Sequence, residues 1–93
     1  MSFELRFKQE AIDEWQRLDR AVRGQFKKKL AERLEEPRIA SAKLYGHPDR
    51  YKIKLRAAGF RLVYEVRDHE LIVVVIAVGK RERSAVYRAA EKR

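Results

Sequence analysis

Residues 51–66 read YKIKLRAAGFRLVYEV, and their reading decides the fold. Tyr51, Ile53 and Leu55 alternate with Lys52 and Lys54. That is the period-two pattern of a strand with one buried face and one open face. Ala57-Ala58-Gly59 supplies the small residues and the glycine of a reversal. The segments at about 51–56 and 60–66 are therefore predicted to pair as an antiparallel hairpin. The open face is the unusual part. Two lysines on one face repel each other unless something negative meets them. Lysines on an edge strand also guard against aggregation, so the pair alone fits either role.

Downstream of the hairpin, Arg67-Asp68-His69-Glu70 marks a turn, and 71–78 reads LIVVVIAV. A strand that is apolar at every position needs cover on both faces, which places it in the interior of the sheet. Gly79 is expected to break it. Residues 82–93 are predicted to form a terminal helix, with Ser84 as a candidate cap. Its apolar positions are Ala85, Val86, Ala89 and Ala90. At ~25 cal/mol per Å² so small a face docks weakly, and a partner could move the helix.

Upstream, SFELRF at 2–7 alternates Phe3, Leu5 and Phe7 with Glu4 and Arg6, a short strand. The period then lengthens. Ala11, Ile12, Trp15 and Leu18 form one helical stripe, and Val22, Phe26, Leu30 and Leu34 a second. Asp19 can cap the second helix and Pro37 ends it. The tight junction between the helices predicts an antiparallel hairpin, with Lys27-Lys28-Lys29 on its solvated side. Residues 38–50 read as a loop, with turn signals at Gly46, Pro48 and Asp49. The order β-α-α-β-β-β-α, with helices segregated from a mainly antiparallel sheet, is the α+β class. A chain of 93 residues is expected to be one domain, 1–93. The absence of cysteine excludes disulfides and thiolate metal sites. His47 and His69 have no ligand-like spacing. The longest apolar run is too short to span a bilayer and there is no leader pattern, so a soluble cytoplasmic protein without a membrane partner is expected.

The formal charge is +9, and its placement is more informative than its size. Residues 43–61 hold six Lys/Arg and one Asp, a net +5, and residues 80–93 hold six Lys/Arg and two Glu, a net +4. The rest of the chain, though rich in charge, sums to zero. A merely solvated surface mixes its signs. Two concentrated basic segments point to a polyanion, most commonly nucleic acid.

No carboxylate pair is spaced for a two-metal nuclease, no glycine-rich loop suggests a phosphate cradle, and no Ser/His/Asp set can be drawn. Neither a metal nor a cofactor is expected. What converges is cationic. In the predicted hairpin Arg61 lies beside Lys52 and Lys54, and Arg56 continues their face. If the strands stay adjacent, Arg81 emerges near the same surface, with Tyr87 about a turn and a half further on. The expected result is a concave cluster of Lys, Arg and Tyr free of acidic residues. Tyr51, Tyr64, Phe60 and Trp15 are assigned to the core.

At these residues the chain resembles a known family. DEWQRL at 13–18, PRI at 37–39, YKIKLR at 51–56, GFRLVYEV at 59–66 and VGKRERSAVY at 78–87 are similar to the RelE family. Its members are ribosome-dependent mRNA interferases of bacterial toxin–antitoxin modules. The resemblance runs nearly end to end without gaps, and it implies the RelE/ParE-like form of the α+β order derived above. It implies that Lys52, Lys54, Arg61, Arg81 and Tyr87 are the catalytic residues. Lys43, Tyr45, Arg50, Arg56, Lys80 and Arg83 of the basic segments are expected to contact RNA or the ribosome. Tyr45 departs from the arginine expected in that loop. The Glu/His acid–base pair of other branches is missing.

The resemblance further implies metal-independent cleavage of mRNA in the ribosomal A site, with mRNA and rRNA as partners. It implies neutralisation by a cognate RelB-like antitoxin that often displaces the terminal helix, and contact with DNA only through that antitoxin. The residue types suit this chemistry. RNA can be cut without metal when its 2′-OH attacks the adjacent phosphate. Crowded cations lower a lysine pKa, so Lys52 and Lys54 are alternative bases or charge stabilisers. Arg61 can hold phosphate oxygens, and Arg81 the leaving oxygen. Tyr87 is a stacking surface or a proton relay. Two rival readings are a gyrase-inhibiting, ParE-like toxin on the same scaffold and a non-catalytic RNA- or ribosome-binding module.

Overall fold

The computed structural model describes residues 2–93. Its elements are β1 (Glu4–Phe7), α1 (Gln9–Gln16), α2 (Arg20–Glu35), β2 (Arg50–Leu55), β3 (Phe60–Arg67), β4 (Ile72–Lys80) and α3 (Ala85–Glu91). A single 3-10 turn, Ala40–Ala42, lies between α2 and β2. The order is the one predicted. The sheet runs β1-β4-β3-β2, so β4 is interior and β2 is an edge. β2/β3 and β3/β4 are antiparallel, while β1 runs parallel to β4 after the helical crossover.

β4 is covered on both faces, as its composition requires. On one face Val73, Val75 and Val78 join Tyr51, Ile53, Leu55, Leu62, Tyr64 and Val66. This face packs on Ala11, Leu18, Val22, Phe26 and Leu30 of the helical segment. On the other face Val63, Val74, Ile76 and Ala77 meet Val86 and Ala90 of α3. Val75 and Val78 share a face although three residues apart. The β3/β4 register shifts between Val63 and Tyr64, which pair with Ala77 and Val75, leaving Ile76 as the extra residue. Such a bulge reverses side-chain parity along a strand and adds local twist.

The helical caps follow the sequence. Asp19 accepts a hydrogen bond from the Val22 amide at 2.9 Å, which satisfies one of the open donors at the start of α2. Lys27, Lys28 and Lys29 are all exposed. No helix among the described residues is long and apolar enough to cross a membrane.

Two local expectations are corrected. Gly79 does not break β4, which continues through Lys80. It pairs with Arg61, and a Cβ built there would lie 3.4 Å from the Val86 side chain. The glycine therefore allows α3 to approach the sheet closely. Ser84 precedes α3, but its φ of 58° is left-handed and its side chain makes no capping bond. A serine cap needs extended backbone. Here the chain reverses abruptly after β4, and Arg83 (φ 47°) and Ser84 make the turn.

One buried polar group ties the layers together. The Tyr64 hydroxyl donates to the Pro37 carbonyl at 2.6 Å and accepts from Arg33 of α2 at 2.8 Å. Arg33 also reaches the Lys52 carbonyl on the edge strand at 3.3 Å. Tyr64 is fully buried, and burial pushes its phenol pKa up. Tyr64→Phe leaves the Pro37 carbonyl without this donor. The variant is expected to lose about 1–3 kcal/mol of stability, read as a lower urea midpoint at unchanged slope. An unchanged midpoint would show that these bonds do not hold the layers.

Candidate active site

The β2/β3 register sets Lys54 opposite Arg61 and Lys52 opposite Val63. Arg61 lies in turn opposite Gly79 of β4. Alternation puts Lys52, Lys54 and Arg61 on the face that α3 covers, away from α1 and α2. After β4 the Arg81 amide donates to the Gly59 carbonyl at 2.7 Å, which pins Arg81 beside the β2–β3 turn. α3 then folds back and brings Tyr87 over the sheet. Lys54, Arg61, Lys80, Arg81, Glu82 and Tyr87 line one cavity of about 210 Å³.

Four of the five predicted catalytic residues thus share a hollow. Lys52 lines the adjoining groove of about 320 Å³, together with Leu44, Tyr45, Tyr87, Arg88 and Glu91. Tyr87 is common to both spaces. A larger hollow of about 430 Å³ lies on the helical side, near Glu14, Arg17, Asp19 and Phe60. Its walls mix charges of both signs, so it is not an equivalent anion site.

Two groups in the 210 Å³ cavity lack the partners that buried polar groups normally have. Arg61 is only 7% exposed. Its side chain donates to the Phe60 carbonyl at 3.0 Å, and among the described residues no carboxylate pairs with it. A guanidinium has five donors, and a buried charge is usually paired. The Tyr87 hydroxyl is buried as well, with no hydrogen-bond partner. Lys54 completes the set. The positive charge of Lys52 holds its pKa below the ordinary lysine value, aided by desolvation, Arg56 and Arg61.

The surrounding basic residues divide into two groups. Lys43, Tyr45, Arg56, Lys80 and Arg83 are exposed, Tyr45 almost completely. Arg50 is not available in the same way. It bonds Glu65 at 3.0 Å and the Ala90 carbonyl at 2.7 Å, so its guanidinium is engaged within the fold. The cluster is not free of acid either, because Glu82 lines the cavity. The run KRER from residue 80 contains it, but charge counting treats it only as a subtraction. Arg33 was also missed as a support of the lysine strand, since a helix stripe does not show which strand carbonyl it meets. Among the described residues no group of three or more His, Cys, Asp or Glu gathers as for a metal ion.

The family model for the ParE toxin of type II toxin–antitoxin systems matches residues 5–85. Fold and match together define a small toxin of a two-component toxin–antitoxin system. The mRNA interferase toxin RelE of Escherichia coli strain K12 is 57% identical over 93 residues, covering 100% of this chain and 98% of that one. Among solved structures, an arginine-to-alanine double variant of E. coli RelE in the free state superposes with a TM-score of 0.91 at 54% identity, covering 99% of this chain and 97% of that one. The toxin in the intact E. coli RelBE toxin–antitoxin complex gives 0.84 at 55% identity, covering 88% and 100%. The chain belongs to the RelE family of toxins.

The Lys54 environment makes a direct prediction. Lys52→Ala removes the largest cause of its lowered pKa, so the Lys54 ammonium should keep its proton to higher pH. NMR titration of the lysine Cε and Nζ resonances measures this. A Lys54 titration that does not move in the variant would show that Lys52 is not the controlling charge.

Proposed function

We propose that this toxin is a ribosome-dependent endoribonuclease that cuts mRNA in the ribosomal A site without a metal ion, using the message's own 2′-OH as nucleophile. The observation that carries the reading is Arg61: a buried guanidinium without a carboxylate, beside Lys54 and in one cavity with Arg81. Such a group is built to meet an anion. The name mRNA interferase on relatives 57% identical to the chain supports RNA as that anion.

In the proposed reaction the 2′-oxygen forms a bond to phosphorus as the bond from phosphorus to the 5′-oxygen breaks. The 2′-OH proton leaves to a base, and the departing 5′-oxygen takes a proton from solvent water. A depressed pKa puts the neutral amine of Lys54 within easier reach, so Lys54 is the better placed lysine for the base, and Lys52 lowers its pKa. Arg61 binds the phosphate oxygens and stabilises the charge that grows on them. Arg81 hydrogen-bonds the departing 5′-oxygen, since a guanidinium is too weak an acid for ready proton donation. Tyr87 meets the nucleotide from the α3 side. Lys43, Tyr45, Arg56, Lys80 and Arg83 contact RNA around the cavity. This modest catalytic set relies on the ribosome to hold the message in line for attack.

A RelB-like antitoxin neutralises the toxin by moving α3, and with it Tyr87. In support, α3 is held to the sheet by only two buried side chains of its own, Val86 and Ala90. The ParE description of the family model favours a second reading, gyrase inhibition. That reading requires neither Arg61 nor the lysines to be arranged around a phosphate.

Purified protein should cut a message on programmed ribosomes in the presence of chelator, with ribosome integrity kept separately. The products should end in a 2′,3′-cyclic phosphate upstream and a 5′-OH downstream. Replacing the one 2′-OH beside the cut by hydrogen should abolish cleavage there, and Arg61→Ala should slow single turnover by about 10²-fold. Cutting of the deoxy message would show that water attacks. No cutting of any message would favour the gyrase reading.

A further inference from the structure

α3 is short and poorly anchored by its apolar side. It has seven residues, and only Val86 and Ala90 are buried. Yet it carries Tyr87, whose placement over the cations depends on where the helix sits. Polar bonds supply what the apolar face lacks. Arg93 bonds both Glu14 oxygens, at 2.8 and 3.1 Å, and the Ile76 carbonyl at 3.0 Å. His47 meets Glu91 at 2.7 Å, but that pair is open to solvent, where ion pairs contribute little. The remaining tie is Arg50.

Arg50 begins β2 and lies opposite Glu65 of β3. Its Nε donates to Glu65 at 3.0 Å and its Nη1 to the Ala90 carbonyl at 2.7 Å. Both side chains of the ion pair are largely shielded. Glu65 is fixed in turn by Arg67, whose Nε donates to its second oxygen at 2.9 Å. Burial raises the Glu65 pKa, but the bonds from Arg67 and Arg50 outweigh it and hold the carboxyl below the usual range. The same two strands therefore carry Arg50 and Glu65 at one end and Lys54 and Arg61 at the other. α3 bridges the two ends, and Tyr87 precedes Ala90 by about one helical turn.

We propose that Arg50 is a positioning residue for Tyr87. Oriented by Glu65, its guanidinium clasps the last turn of α3 to the strands that bear Lys54 and Arg61. This inference rests on the endoribonuclease reading for its catalytic consequence but not for the clasp itself. The cation also suits the negative end of a helix.

The test uses the full chain and the variants Arg50→Ala and Arg50→Lys, each in the native and Tyr87→Ala backgrounds. Amide exchange of the free protein reads the clasp without any activity. In Arg50→Ala, residues 88–91 should exchange about tenfold faster while β4 is unchanged. The fold should survive, because Arg67 still pairs with Glu65. Single-turnover cleavage on ribosomes should fall about tenfold or more, the scale of a misplaced catalytic group, with ribosome affinity and its salt dependence unaltered. Arg50→Lys should restore part of the rate, since an ammonium can still reach one acceptor. In the Tyr87→Ala background Arg50→Ala should add no further loss. Unchanged exchange in α3 would overturn the clasp. A further loss in the Tyr87→Ala background, or weaker binding with a shallower salt dependence, would make Arg50 a direct RNA contact and overturn the positioning role. If the native protein cuts no message, the functional reading fails, while the exchange measurement still decides the clasp.

Discussion

β4 is buried on both faces from Val73 to Val78, and that requirement organises the molecule. One face receives Phe26, Leu30 and their neighbours, large side chains that fill a continuous core. The other receives Val86 and Ala90, with Tyr87 and Ala89 partly buried beside them, from a helix of seven residues. So short a roof covers β4 and reaches Val63 of β3, but leaves Lys52 and Lys54 of the edge strand β2 partly exposed. Lys52 and Lys54 stand on the part of the face left open, with the buried Arg61 beside them. The constraint that closes the core thus also creates a half-roofed hollow, and Gly79 lets α3 close over the sheet through Val86.

Charge is handled differently at the two ends of the sheet. Away from the cavity, Arg50 and Arg67 share Glu65, and Arg38 bonds Asp49 and Asp68. The bond to Asp68, with those to Asp49 and Tyr51, raises the Arg38 pKa still further. At the cavity, Lys54 faces Arg61 across the strand pair, an arrangement that is destabilising by itself. The same short chain pairs cations with carboxylates at one end and leaves them unpaired at the other. Local rules broken in one place and obeyed in the rest mark that place as the candidate functional site.

Much of this was legible in the sequence, for reasons that separate what was missed. Periodicity gave the helices and the other strands, and the interior position of β4 followed from its unbroken apolar run; the 3-10 turn at Ala40–Ala42 lay in a segment read as loop. The hairpin turn at Ala57-Ala58-Gly59 was enough to bring Lys54 beside Arg61, because antiparallel register is counted outward from the turn. What stayed hidden depends on contacts between distant segments. Ile76 gives no sign of being a bulge residue, since every neighbour is equally apolar. Gly79 reads as a breaker until Val86 is seen resting on it. Arg50 reads as one more surface cation because its partners, Glu65 and the Ala90 carbonyl, lie 15 and 40 residues away. Glu82 reads as one charge in a basic run.

The unpartnered Tyr87 hydroxyl lies on the element with the least apolar anchorage, and this has a thermodynamic consequence. Tyr87 meets the cations only while α3 is docked, so the docked state is the one that completes the cavity. A partner that binds the sheet with α3 displaced shifts the equilibrium by its differential affinity for the two states and no more. The ties through Arg50, Arg93 and His47 therefore act in two directions at once. Strengthening them raises the docking equilibrium constant that keeps Tyr87 in place, and weakens the apparent affinity of such a partner by nearly the same factor. A large apolar face on α3 would secure Tyr87 but make displacement prohibitively unfavourable. A small face with a few directional polar bonds fixes the ring closely and still lets the helix leave.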